Sequence, residues 1–155
     1  MLMERDQYLR FCRLDCDIVR ATQDIVVRRW TTVGAVAMHE ALGVWVHDRL
    51  TEPGPVIIVE NGTWIMLTDP TPADLYARWQ EALEAAKAVT VSADSVVILP
   101  GPCTRGRRWL IPPLSGDRPH PGTVFAEIGR YEKHCTRSEE ATAAMRGEVP
   151  ALPRW

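Results

Sequence analysis

The loop Gly101-Pro102-Cys103-Thr104-Arg105-Gly106-Arg107-Arg108-Trp109 gathers the residues of this chain best suited to chemistry. A thiol on a glycine-flanked turn beside arginines is where a lowered pKa makes a nucleophile, so Cys103 is the candidate for thiol catalysis. Its general base would be a distant histidine, His120 or His134, which spacing alone does not bring near. Arg105, Arg107 and Arg108, followed by Trp109, also make the one locally basic cluster beside an aromatic ring, suited to holding phosphate or stacking a base. In a strand, Arg107 and Trp109 share one face while Arg108 and Leu110 share the other, which splits the cluster. Arginines at a hairpin tip also keep a sheet edge from aggregating, and that plainer reading competes with binding.

Other constellations are thinner. Asp15-Cys16-Asp17 has the D-x-D form of metal-dependent nucleotidyl transferases. Its surroundings read as helical, however, and residues two apart on a helix point about 200° apart and share no ion. Cys12 and Cys16, one helical turn apart, would supply two zinc ligands, yet His39, His47, Cys103, His120, His134 and Cys135 show no finger or ribbon spacing to complete four. Buried free cysteines are the plainer reading, and no metal or cofactor is expected. Neither a Walker loop nor a G-x-G-x-x-G fingerprint occurs.

The elements that must position these residues can be read from periodicity. Tyr8, Phe11, Cys12, Cys16 and Val19 fall near helical spacing, which predicts an amphipathic helix from Glu4 to about Val19. Strands are expected at about Ile25 to Arg29 and Val33 to Ala37, then a helix from His39 to Leu50 that the Pro53-Gly54-Pro55 run terminates. Asn61-Gly62 between two apolar runs predicts a hairpin over Pro55 to Leu67. Thr71 as cap and Pro72 at the first helical position start a helix that extends to Ala88, with Leu75, Trp79, Leu83 and Ala86 inward. Val89 to Val91 and Ser95 to Leu99 read as strands about a turn at Ser92-Ala93-Asp94. Ser95 to Pro113 reads as a second hairpin, its return strand running from Arg108 to Ile111. A final helix is placed from Thr123 to Met145.

Composition narrows the function classes. With 155 residues the chain is long enough to bury roughly 70% of its unfolded surface without disulfides or a structural metal. A formal net charge of −2 gives no global attraction to nucleic acid, so any such role rests on the local arginines. The four cysteines are sparse and the N-terminus lacks a signal-peptide pattern, which suits free thiols in a reducing cytoplasm. No apolar run approaches the roughly 20 residues that span a bilayer, and no membrane role is expected. Six tryptophans are many for this length; where partly exposed they suit a protein partner or a dimer seam.

Three segments in order carry a resemblance: GAVAMHEALGVWVHDRL, GPVIIVENGTWIML and VVILPGPCTRGRRWLIPP. Spanning about Gly34 to Pro113, they resemble small uncharacterised actinobacterial proteins with a G-P-V strand pair and an R-W-L-x-P-P strand. Some of these bear an automatic label that relates them to the N-terminal region of bifunctional DNA primase/polymerases. The chain departs from that pattern in lacking a strand-borne acidic pair with an accompanying histidine, which templated nucleotidyl transfer requires. No catalytic residue is therefore carried over.

The expected fold is a single α+β domain over residues 1–147, a mostly antiparallel sheet of five or six strands flanked by three or four helices, with a loose tail at 148–155. The expected role is a non-catalytic cytoplasmic protein-interaction or regulatory module, acting with a protein partner or as a homodimer. A nucleotide or nucleic-acid-binding domain using Arg105, Arg107, Arg108 and Trp109 is the alternative, and a Cys103 thiol enzyme the third reading.

Overall fold

Alternating side chains on the long strands build the molecule in layers. The computed structural model describes residues 2–10, 12–27, 32–91 and 95–145. Its elements are α1 (Leu2–Arg10), β1 (Cys16–Ile18), β2 (Ile25–Val27), β3 (Gly34–His39), α2 (Glu40–Arg49), β4 (Val56–Val59), β5 (Thr63–Thr68), α3 (Ala73–Ala85), β6 (Val89–Thr90), β7 (Val97–Leu99), β8 (Arg107–Ile111) and α4 (Pro121–Met145). The strands form a five-stranded antiparallel sheet, β6-β3-β5-β4-β8, and a three-stranded antiparallel sheet, β1-β2-β7. The described residues thus form an α+β fold with four helices, in which the small sheet packs on one face of the main one.

The main sheet is apolar on both faces, because its strands alternate between two cores. Val36, Met38, Val56, Trp64 and Met66 face a core shared with Leu42, Val46, Leu83, Val124, Phe125 and Ile128 of the helices. Their sequence neighbours Ala35, Ile57, Ile65 and Leu67 face the other core, closed by Ile25, Val27, Val97 and Leu99 of the small sheet together with Cys12, Leu14 and Cys16. A bulge where β4 pairs with β8 lets this alternation slip. Val56 opposes Ile111 and Ile57 opposes Trp109, so Ile111 packs toward the helices while Trp109 packs toward the small sheet. Gly43 lets α2 lie close on the sheet, since a Cβ there would stand 2.6 Å from the Trp64 ring.

The Asn61-Gly62 hairpin forms as expected, with Ile58 opposite Trp64. Gly62 takes φ +80°, donates its N–H to the Val59 carbonyl at 3.0 Å, and closes the turn in the left-handed conformation glycine accepts without strain. The helix from His39 also forms, as α2, with His39 as its cap: its Nδ1 accepts the Leu42 N–H at 3.3 Å.

Other expectations are corrected. The N-terminal helix ends at Arg10 rather than near Val19, because Arg13 takes a left-handed φ of 51° and Cys16 to Ile18 pair with β2 instead. The second hairpin does not exist. β7 pairs with β2 in the small sheet and β8 with β4 in the main one, so the Arg-rich loop is a crossover between sheets. Thr71 does not cap α3, whose N-cap is Pro72 with no side-chain bond, and α3 stops at Ala85. α4 starts at Pro121, two residues earlier than expected. The Ser92-Ala93-Asp94 turn, Arg28 and Arg29, and the tail at 148–155 lie outside the described residues.

Candidate functional site

The crossover loop is held by its own polar groups. Thr104 donates its N–H to the Gly101 carbonyl at 3.1 Å, closing a turn that leaves Pro102 and Cys103 exposed. Its hydroxyl donates to Asp24 Oδ1 at 2.9 Å, which fastens the loop to the small sheet. Gly106, at φ +72°, accepts the Glu60 N–H with its carbonyl at 2.9 Å, and the Glu60 carboxylate stands close over it. A carboxylate therefore sits within the arginine cluster and offsets part of its charge.

The arginines divide as their alternation implies. Arg107 leans between the sheets, where its Nη1 donates to the Ile98 carbonyl at 3.5 Å, and is half-buried. Arg105 and Arg108 are exposed. Trp109 is not a free stacking platform. Its indole N–H donates to the Tyr8 hydroxyl at 2.8 Å, that hydroxyl donates to the Pro100 carbonyl at 3.0 Å, and the two rings meet at 6.1 Å with a 53° tilt.

Neither proposed base is brought to Cys103 by any contact among the described residues. His120 caps α4, its Nδ1 accepting the Gly122 N–H at 3.1 Å. His134 stacks on Trp45 at 5.0 Å, on the helical side of the main sheet. Cys12 and Cys16 are buried in the inter-sheet core, and burial pushes both thiols up, Cys16 to about 11. Cys12 donates to the Pro113 carbonyl at 3.1 Å. Thiol labelling of the native protein should therefore reach Cys103 first and Cys135 partly, and Cys12 and Cys16 only as the protein unfolds. Native labelling of all four at one rate would refute that burial order.

Asp15 and Asp17 are not on a helix. Asp17 is exposed on β1 next to the buried Cys16, and Asp15 immediately precedes the strand. Among the described residues, however, no group of three or more His, Cys, Asp or Glu side chains is placed to hold a metal.

What β8 presents instead is an apolar surface at the margin of the main sheet. Among the described residues β8 pairs with β4 alone, leaving its outer edge open. At its C-terminal end lie two adjoining hollows that share Pro112 and Leu114. One, of about 330 Å³, is lined by Tyr8, Cys12, Trp109 and Pro113; the other, of about 210 Å³, by Pro53, Pro55, Ile111 and Arg118. Leu114 is 86% exposed between them, and Leu110 at the bulge is 38% exposed. Sequence reasoning singled out Trp109 here but not Tyr8, which α1 delivers from about a hundred residues earlier.

A second cleft, of about 400 Å³, lies where the start of α2, the end of α3 and the middle of α4 meet. His39, Lys87, Tyr131, Glu132, Cys135 and Glu139 contribute to its walls. The Tyr131 ring stands 5.8 Å from the His39 ring and 5.6 Å from Trp45. Burial and a hydrogen bond with Cys135 push the Tyr131 phenol up, so a neutral hydroxyl lines the cleft at neutral pH.

No helix among the described residues is long and apolar enough to cross a membrane. Set beside known protein families, curated proteins and solved structures, the chain matches none.

Proposed function

We propose that this chain is a non-catalytic, cytoplasmic protein-interaction module that docks a protein partner along the outer edge of β8. The observation that carries this reading is the coincidence of an open strand edge with an exposed leucine set between two hollows. Open edges pair with other chains by main-chain hydrogen bonds, and neighbouring pockets then select alternate side chains. The tethered indole and phenol suit this role, because a rigid aromatic floor loses little entropy when a partner covers it. Exposed Arg105 and Arg108 at the other end of the edge would favour a partner carrying acidic groups there.

Site-specific photo-crosslinking in cells tests the proposal, with the reactive residue at position 114 and a control at exposed Ala41 on α2. A discrete adduct from position 114 alone, lost when Leu110→Glu is added, is the expected result. An adduct of twice the chain mass would identify the partner as a second copy. Equal labelling from both positions, or none from 114, would overturn the reading. Leu110→Glu alone should change stability by less than about 0.5 kcal/mol, since it touches no core. Salt-steep oligonucleotide binding that Arg105→Ala and Arg108→Ala weaken would replace the module with the nucleic-acid reading.

A further inference from the structure

The cleft between α2, α3 and α4 segregates charge by wall. Lys87 and the His39 ring come from the α3 and α2 termini, while Glu132 and Glu139 come from α4. Tyr131 and Cys135, also on α4, add a hydroxyl and a thiol to the lining. The His39 orientation is set by its cap: because Nδ1 accepts the Leu42 N–H, the neutral ring carries its proton on Nε2, which is then a donor. The Thr136 hydroxyl, which donates to the Glu132 carbonyl at 3.1 Å, also lies 3.3 Å from Glu132 Oε1.

Lys87 occupies a costly position. It follows α3 with φ +55°, and Ala88 donates its N–H to Leu83 at 2.8 Å, the helix-ending pattern in which glycine is favoured. A lysine there carries backbone strain that glycine would not. Strained residues concentrate where a side chain is needed for binding, and here the side chain lines the one cleft wall that is cationic.

We propose that this cleft binds a small zwitterion whose cationic and anionic groups are several ångströms apart, its anionic end on Lys87 and His39 and its ammonium on Glu132 and Glu139. The volume, about 400 Å³, lies in the range of small-molecule sites. A purely anionic ligand would meet the two glutamates, and a purely cationic one would meet Lys87, so neither satisfies both walls. The neutral Tyr131 face adds a surface on which an ammonium can rest.

The test is a length series of ω-amino acids, glycine, 4-aminobutyrate and 6-aminohexanoate, with dialanine, added to isotope-labelled protein and followed by amide shifts. The single-charge controls are butylamine and butyrate. Saturable shifts at His39, Lys87 and Tyr131 should appear for an intermediate or long member, with each single-charge analogue at least tenfold weaker. Lys87→Gly should raise the melting temperature and still weaken binding at least tenfold, so loss of binding cannot be blamed on misfolding. Glu139→Gln should weaken it as well. No shift at these residues with any member, equal binding of butylamine or butyrate, or unchanged affinity in Lys87→Gly would overturn the proposal.

Discussion

Replacing Arg118 with alanine is expected to destabilise the protein by about 3 kcal/mol, the midpoint of a urea transition being the measurement. The side chain lies in the loop from β8 to α4, yet its guanidinium serves three carbonyls far away in sequence. One nitrogen donates to Cys12 at 2.5 Å and Arg13 at 3.0 Å, the other to Thr32 at 3.1 Å. These carbonyls belong to the segment after α1 and the approach to β3, so one planar fork ties two crossings of the chain to the rim of the main sheet. Burial lowers the Arg118 pKa while Asp69 acts in the opposite direction, and the group stays cationic. Alanine would leave the carbonyls to find water, and Cys12 is buried. Arg118→Lys should recover only part of the loss, because an ammonium cannot reproduce the fork. At this chain length the alanine variant should melt roughly 10 °C lower. A change under about 1 kcal/mol would mean that the three bonds are replaced by solvent at no cost. The same loop floors the hollow beside Leu114, so β8 docking should weaken along with stability.

Where the sequence reading succeeded, local chemistry was enough. Asn61-Gly62 specifies a hairpin because only a residue free at positive φ closes it, and α2 and α3 carry apolar periods long enough to be distinguished from strands. It failed where pairing is decided over distance. Ser95 to Leu99 and Arg108 to Ile111 look like hairpin partners because they are close in sequence and joined by proline and glycine. Their burial assigns them elsewhere: Val97 and Leu99 close the inter-sheet core beside β2, whereas β8 bonds to β4 across a bulge. The near-helical spacing of Tyr8, Cys12 and Cys16 misled for a related reason. All three do pack on one core, but a left-handed Arg13 lets helix and strand deliver them separately. That turn also puts Asp17 on β1 and Asp15 just before it, where a helical reading expects both on a helix.

Of the site, Trp109 and the split of the arginines were legible, since strand alternation separates Arg107 from Arg108. Tyr8 was not, because nothing local says that α1 returns to β8. The zwitterion cleft was invisible as a site. His39, Lys87 and the Tyr131 to Glu139 face lie in three helices' worth of separate sequence, and only a fold that stacks α2, α3 and α4 brings them to one hollow.

Above pH 9 the native state should lose stability that a Cys16→Ala variant retains. Burial is the main cause of the raised Cys16 pKa, about 11 against 9.0 for an ordinary thiol; nearby Arg5 offsets part of it, and Asp15, Asp17 and Cys12 add to it. Between those values the unfolded chain has released its proton while the folded chain still holds it. The unfolded state then binds fewer protons, so unfolding free energy falls as pH rises. The contribution is fully present below pH 9 and gone above about pH 11, with a ceiling of about 3 kcal/mol for two pKa units. Cys12, also raised by burial, adds in the same direction. The deficit is best read as a difference, since other groups titrate over the same range. Urea unfolding of wild type and Cys16→Ala at pH 8, 9, 10 and 10.5 isolates it: the alanine variant starts lower through its lost packing and converges on wild type as pH rises. Parallel curves across the range would mean that the Cys16 thiol ionises alike in the two states, and the inter-sheet core would not be dry at that point.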